Sequence, residues 1–468
     1  MQTAAGPRWI PGTDLLWNYY AGEPRLPVGA DNAREAYLTF MRQARRSFPE
    51  LVVEAVLDRM RPVGFQTGAD GDEHGDAAAW RIWQANHLDA DAQIAHRYML
   101  ACREAYAIVG DVDPDTDEPL ITIEDPRQTI VAWDPENRRK LRAALKWYVD
   151  EDAEVDRAHV FWRIDGTGSS PGPATIVVRR ATRPRTAAEA LSVGGLGSPG
   201  GWQWDDEGRI LPLTRIPLAR FVAQPDAHGQ GRSEFEGVID LIDSINTQTL
   251  GRLVIAAMQA YRQRALEKDD GAELPEVDAD GELIDYEKLF EASPAALWDL
   301  PPGIKIWESM QTDLQPILAA VKADVTDLAA ITRTPMHYLS PEGANQSAEG
   351  ASLTREGLVS KVRHRIATAS EAWEQVLSLA FEWKGDPVRA RLVDTECLWL
   401  EPEQFSLTQK ASAVAQMSTT MPWSLLAEQV LQLTPQQVAR YDADRVNDVL
   451  LRDSLAPPPQ QQRVPAGG

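Results

Sequence analysis

Only two cysteines, Cys102 and Cys397, occur in 468 residues, and they stand too far apart in sequence to form a metal or redox motif. A reducing, cytoplasmic origin is the simplest reading of that scarcity. No apolar run approaches the roughly 20 residues a membrane helix needs, which excludes a hydrophobic helical anchor. The opening MQTAAGPRWIPGTDLL has neither the basic nor the apolar region of a secretory leader. GxxxxGK[ST] and HExxH are both missing, so the chain is not by itself a P-loop motor or a zincin. The seven histidines are scattered. His87 and His96 could share a local surface, yet nothing sets them against a nucleophile. No catalytic constellation emerges, and neither a metal nor a cofactor is expected.

Positive charge is also short. Lys and Arg number 47 against 70 Asp and Glu, a net charge of -23. A protein whose main surface grips nucleic acid needs cations to neutralise phosphates, so that class is disfavoured. Two readings of the acidity stay open: ordinary solubility, or a surface that must face DNA without sticking to it.

Apolar periodicity is present in quantity, and its period changes along the chain. Residues 35–60 read as helical and end before the breaker RPVGF. Residues 76–105 read as two helices with Asp89 near the join. From 106 to 222, short runs such as LITIED, TIVAWD, HVFWRI and TIVVRRA alternate with Pro, Asp, Asn and Gly, the pattern of a mostly antiparallel meander. GTGSSPGPA and SVGGLGSPGG interrupt it as hairpin loops. Ser233 with Glu236 makes a capping box, and the periodicity predicts a helix to Leu266, about 50 Å long at 1.5 Å per residue. An acidic, Pro- and Gly-rich segment spans 267–308. A second helix, 314–331, carries the stripe Leu314, Ile317, Leu318, Val321, Val325, Leu328 and Ile331. A third, 352–384, carries a heptad-like seam from Val359 to Trp383. Helical segments punctuated by Pro422 and Pro435 fill 406–454, and the tail APPPQQQRVPAGG is of low complexity. The fold class expected is α+β.

Several short features invite a chemical reading, and each has a plainer one. GLGSPG matches GxGxxG, but Pro199 and GWQWDDEG after it do not open the helix that dinucleotide binding requires. DVDPDTDE spaces carboxylates like a calcium loop, but Thr116 stands where the turn wants Gly and Thr122 where the bidentate Glu belongs; an acidic hairpin turn fits better. The densest basic patch on a helix is Arg355 with Lys361, Arg363 and Arg365. It can pair with carboxylates within or between subunits, or contact phosphates. Lys322 and Arg333 are isolated cations that matter only if their helix lines a channel repeated around a ring. The loop TRTPMHYLSPEGANQSAEGASL is longer than the usual two to eight residues of a helix connection, roughly speaking, and so is either functional or disordered.

Six segments in order resemble one family. YYAGEPRLP, VVEAVLDRMRPVGF, IWQANHLD with its W-x-x-N-x-L-D signature, GRSEFEGVIDLIDSIN with a G-x-S-E opening, TPMHYLSPEGANQSAEG and MPWSLLAEQVLQLTPQQV are all similar to stretches of tailed-bacteriophage portal proteins. The type is the siphovirus head–tail connector of actinobacteriophages. ACREAYAIVG departs from it, placing Arg103 and Glu104 where the family often has Gly.

The resemblance implies a non-enzymatic ring, a dodecamer, at one capsid vertex of the virion, assembled in the host cytoplasm and traversed by double-stranded DNA during packaging and ejection. Implied partners are the terminase large subunit, a head–tail adaptor, and the major capsid and scaffolding proteins, with no membrane. The implied regions are a wing at 1–232, stem helices at 233–266 and 309–333, a clip at 267–308 between them, a return to the wing at 334–403, a crown at 404–454 and a disordered tail at 455–468. A tunnel loop at about 340–350 would bring Gly343, Asn345, Gln346 and Ser347 to the channel, with Lys322 and Arg333 facing the lumen. Outside that family, the alternatives are a helical-hairpin scaffold or adaptor and a carboxylate-dependent hydrolase.

Overall fold

The computed structural model describes residues 12–26, 35–69, 75–165, 174–185, 202–205, 207–260, 264–268, 304–308, 312–340, 348–403 and 407–455, with the single positions 277 and 310. The chain divides into two compact units. The larger comprises 1–20, 49–237 and 332–468; the smaller comprises 21–48 and 238–331. No helix among the described residues is long and apolar enough to cross a membrane.

The larger unit opens with α1 (Thr13–Tyr20), α3 (Phe48–Leu57) and strand β1 (Pro62–Gln66); α2 (Glu35–Ala44) belongs to the smaller unit. The helical pattern over 35–60 is carried by α2 and α3, and Pro49 sits in the first turn of α3, where its missing N–H is harmless. Pro62–Phe65 of RPVGF, read as a breaker, lie in strand β1. Its partner is β13 (Glu396–Trp399), more than 300 residues later, which no local pattern reveals.

Helices α4 (Ala77–Ala85) and α5 (Leu88–Cys102) fall where the periodicity put them. Asp76 caps α4 by accepting from the Ala78 and Ala79 amides. The corner between them explains the W-x-x-N-x-L-D signature. Trp83 Nε1 donates to Asp89 Oδ1 at 2.9 Å, Leu88 is fully buried, and Asn86 bridges to the next strand pair. Asn86 donates to the Ile82 and Pro119 carbonyls, while its Oδ1 accepts the Ile121 amide. His87 turns the chain in the left-handed region, φ 53°.

The predicted meander is there. Strands β2 (Glu104–Asp113) and β3 (Glu118–Glu124) form a hairpin whose acidic turn is tied by Asp113 to the Asp115 amide, and β10 (Leu218–Val222) completes that sheet in the order β10-β2-β3. A second antiparallel sheet runs β4 (Thr129–Trp133), β5 (Leu141–Asp150), β6 (Val155–Ile164) and β7 (Thr175–Pro184), with β8 (Gln203–Trp204) and β9 (Arg209–Leu211) both on β7. One face, carrying Ala144, Phe161 and Ile176, packs on Tyr106, Leu213, Ile216 and Leu218. GTGSSPGPA lies mostly, and GLGSPG wholly, outside the described residues.

The smaller unit holds α6 (Ile239–Ala260), strands β11 (Arg264–Lys268) and β12 (Ile304–Glu308), and most of α7 (Gln315–Thr332). The helix expected from Ser233 to Leu266 is shorter. At 22 residues it spans about 33 Å at 1.5 Å per residue. Leu266 lies instead in β11, paired antiparallel with Ile306 of β12, a contact some forty residues distant that overrides local helical preference. Antiparallel α6 and α7 are linked by Gln248 Nε2 to Asp324 Oδ2, 2.6 Å, and by Gln259 Nε2 to the Thr312 carbonyl, 3.1 Å. Met41, Ala44 and Leu250 form the core here. The stripe expected on α7 is only partly covered: Val325 and Leu328 are buried, whereas Leu318 is 42% and Ile331 62% exposed.

In the larger unit the chain continues through the short α8 (Met336–Leu339) into α9 (Ala348–Lys384), of 37 residues. Every residue from Val376 to Phe381 is buried, and Val359, Val362, Ala369 and Trp373 continue the seam. Each fully buried Val, Leu or Phe contributes on the order of 1.5–3 kcal/mol, so α9 is the spine of the unit. It packs on β10, β2, β3, β13 and α4. Helices α10 (Leu407–Met417), α11 (Trp423–Leu425) and α12 (Pro435–Leu455) follow.

Candidate functional site

The residues expected at the channel, and Arg355 of the basic patch, separate into three groups. Gly343, Asn345, Gln346 and Ser347 lie outside the described residues. Lys322 is exposed on α7, and Arg333 is exposed immediately after it with a left-handed backbone, φ 53°. Arg355 is exposed on α9.

The basic patch on α9 is divided by burial. Arg363 faces solvent at 54% side-chain exposure and pairs with Glu401 at 2.6 Å and Glu403 at 3.7 Å. Lys361 and Arg365 point inward, with 4% and 9% exposure. Of the readings open for these two, pairing with a carboxylate of the same chain is the one the structure shows: both are bound to Glu234. Lys361 Nζ lies 2.8 Å from Glu234 Oε2, and Arg365 Nε 2.5 Å from Oε1. The physical reason is helical spacing. Leu358, Lys361, Arg365, Ala369 and Ala372 follow one another at intervals of three and four, so both cations share the buried side of α9.

Glu234, absent from the expected site residues, is the centre of this cluster. Burial by itself would raise its carboxyl pKa, but Lys361 and Arg365 outweigh that and hold it below the usual carboxylate range. For Lys361, burial lowers the ammonium pKa and Glu234 only partly offsets the fall. Lys361 Nζ also donates to the Thr332 carbonyl at the end of α7, 2.9 Å, a position where a cation complements the helix dipole. The signal in the sequence was the G-x-S-E opening itself. Gly231 approaches the backbone so closely that a Cβ there would meet the Arg103 carbonyl oxygen at 2.5 Å. The Glu234 amide donates to the Leu100 carbonyl, and Arg103 Nε pairs with Glu236 at 2.9 Å. The capping box is half formed: Glu236 accepts the Ser233 amide, while Ser233 Oγ is buried without a hydrogen bond.

His96 and His87 do not share a surface. His96 is fully buried among Phe221, Trp373 and Trp399, and its Nε2 accepts the Trp373 indole N–H at 2.9 Å. Burial lowers its pKa to about 3. A cavity of about 440 Å³ beside the α4–α5 corner is lined by Asp58, Arg61, Trp83 and Asp89. Among the described residues no group of three or more His, Cys, Asp or Glu is arranged to hold a metal ion.

The class defined so far is a mixed α/β chain with a helical-hairpin unit, in which the buried Glu234, Lys361 and Arg365 are tied to each other. A family model described as phage portal protein, SPP1 Gp6-like, matches residues 60–387, and the chain belongs to that family. Portal proteins of two mycobacterial phages are similar to it. That of Mycobacterium phage D29 is 25% identical over 392 residues, covering 80% of this chain and 72% of the relative. That of Mycobacterium phage L5 is 24% identical over 425 residues, covering 86% and 78%. The actinobacteriophage character of the resemblance is met by these hosts.

Proposed function

We propose that this chain is the subunit of a phage portal, the ring-shaped channel at a capsid vertex through which DNA enters during packaging and leaves at ejection. The observation that carries the reading is the family match over residues 60–387, together with the two portal relatives that cover most of the chain. The role is structural: a conduit, with the chemistry of packaging supplied by a separate motor.

The finer assignment follows the order of elements. The antiparallel α6 and α7 are the two stem helices, β11 and β12 close the root of the clip, the sheets and α9 form the wing, and α10 to α12 the crown. Partial burial of the α7 stripe supports a ring of subunits, taken as a dodecamer from the family resemblance, because Leu318 and Ile331 need a neighbour to leave water. Lys322, exposed on α7, faces the lumen in this arrangement, and the net charge of -23 gives a wall that lets a polyanion slide. The segment around Gly343, Asn345, Gln346 and Ser347 is the tunnel loop, with polar side chains that hydrogen-bond phosphates without holding them as arginine does. Arg333 and Arg355 flank it in sequence. Terminase large subunit and head–tail adaptor dock on the clip, and capsid and scaffolding proteins on the wing.

Negative-stain imaging of the purified full chain tests the reading. Annuli with a central hole are expected; a strictly monomeric or dimeric particle across salt conditions overturns it. Charge reversal at Lys322 should reduce packaging or DNA retention, and deletion of 342–347 should spare ring assembly while impairing packaging. Normal packaging in either variant removes that residue or loop from the channel.

A further inference from the structure

The backbone passes between the two compact units at Gly237/Val238 and at Ile331/Thr332, besides two crossings nearer the start of the chain. Glu234 stands three residues before the first of these crossings, and Thr332 is the first residue after the second. Both are held by the same side chain. Lys361 Nζ reaches the Glu234 carboxylate at 2.8 Å and the Thr332 carbonyl at 2.9 Å. Arg365, one turn further along α9, takes the other carboxylate oxygen, and Gln224 Nε2 approaches that oxygen at 3.3 Å.

We propose that Lys361, Arg365 and Glu234 are positioning residues that pin the entry of α6 and the exit of α7 to one point on α9, so that the roots of the two helices are set as a pair. Three observations converge on this. The charges are 1–5% exposed on Glu234 and Lys361 and 11% on Arg365, where an unpaired ion is expensive, so each partner is needed by the others. The segment leading to α6 has further ties, through Gly231 against the Arg103 carbonyl and Glu236 against Arg103. The α7 exit has Thr332 Oγ1 bonded to Thr334 Oγ1 at 3.0 Å, with both residues buried. Two independent loops could each be fixed by its own contacts; here one ammonium serves both. The consequence for a channel rests on the portal reading: the spacing of a subunit's two stem helices at their roots is set by this cluster, upstream of any residue that faces DNA.

Hydrogen–deuterium exchange on the full chain decides between a shared pin and two separate ones. In Lys361→Met, amides of 234–242 and of 328–334 should both exchange at least about tenfold faster, with strands β5 to β7 unchanged. Arg363→Met, the exposed neighbour, should leave both segments as in the parent. Acceleration of only one segment, or a uniform acceleration across the sheets, overturns the proposal. Glu234→Gln, a near-isostere, is the second variant and should act on the same two segments. The unsubstituted protein offers the same test in rising guanidinium: both segments should begin to exchange at one common concentration, and separate onsets refute the shared pin whether or not the variants fold. In phage carrying Lys361→Met, rings should still form while packaged DNA falls about tenfold. If the parent chain forms no ring, the portal reading fails while the exchange result still stands; if rings form and the two segments respond independently, the pin fails alone.

Discussion

Lowering the pH from 7 to 5 should weaken the larger unit through His96. Its imidazole is fully buried, accepts the Trp373 indole N–H at 2.9 Å, and is held by burial to a pKa of about 3, against an ordinary value of 6.5. Above pH 6.5 neither the folded nor the unfolded chain protonates this ring, and its contribution to stability is complete. Below pH 6.5 the unfolded chain takes up a proton that the folded chain refuses. Stability then falls by about 1.36 kcal/mol per pH unit, until the folded ring itself titrates near pH 3. At pH 5, one and a half units below the unfolded value, the loss is about 2 kcal/mol. The assay compares the parent with His96→Gln, whose amide oxygen can accept from Trp373, by urea unfolding at pH 7, 6 and 5. Tryptophan fluorescence reports the event, since Trp373 and Trp399 surround the ring. His159 is also lowered, by burial and then by Arg180, Lys146 and Arg157, but it is common to both proteins and cancels in the difference. Between pH 7 and 5 the parent should lose about 2 kcal/mol relative to the variant. A gap that does not change with pH would refute the assignment of a neutral, proton-refusing His96.

Three further outcomes follow from the same contacts. Trp373→Phe removes the donor to His96 Nε2 and should destabilise by about 1–3 kcal/mol in thermal or urea unfolding; unchanged stability would mean the bond contributes nothing. Gly231→Ala forces a Cβ against two backbone oxygens, Arg103 at 2.5 Å and Ala223 at 3.1 Å, and should lower stability by about 2 kcal/mol; a neutral result would show that the segment yields freely. Cys102, its thiol pushed up to about 12 by burial, and Cys397, pushed up as well, should react with a disulfide reagent at pH 8 only after denaturation. Rapid labelling of the native chain would contradict their burial.

Much of the fold was legible in the residue pattern because its determinants are local. The α4–α5 corner, the β4 to β7 meander and the seam of α9 each follow from apolar spacing and turn residues within a short window. What was missed depends on partners remote in sequence. Pro62–Gln66 became a strand because Glu396–Trp399 lies alongside it, and the predicted helix does not reach Leu266 because Arg264–Lys268 meets Ile304–Glu308. The family was legible too, from motifs whose residues hold corners and close approaches: Asn86, Asp89, Gly231 and Glu234.

By itself, then, the sequence determined the α+β class, the central meander and the main helices around it, the acidic balance and the portal resemblance, since these rest on composition, short-range periodicity and ordered motifs. Only the tertiary structure decided which cations of KVRHR are spent inside. Arg363 faces water, while Lys361 and Arg365 close on a carboxylate more than 120 residues earlier in the chain. A charge run has the same composition whichever way it points. Its meaning is set by the helix face it occupies and by what folds against that face.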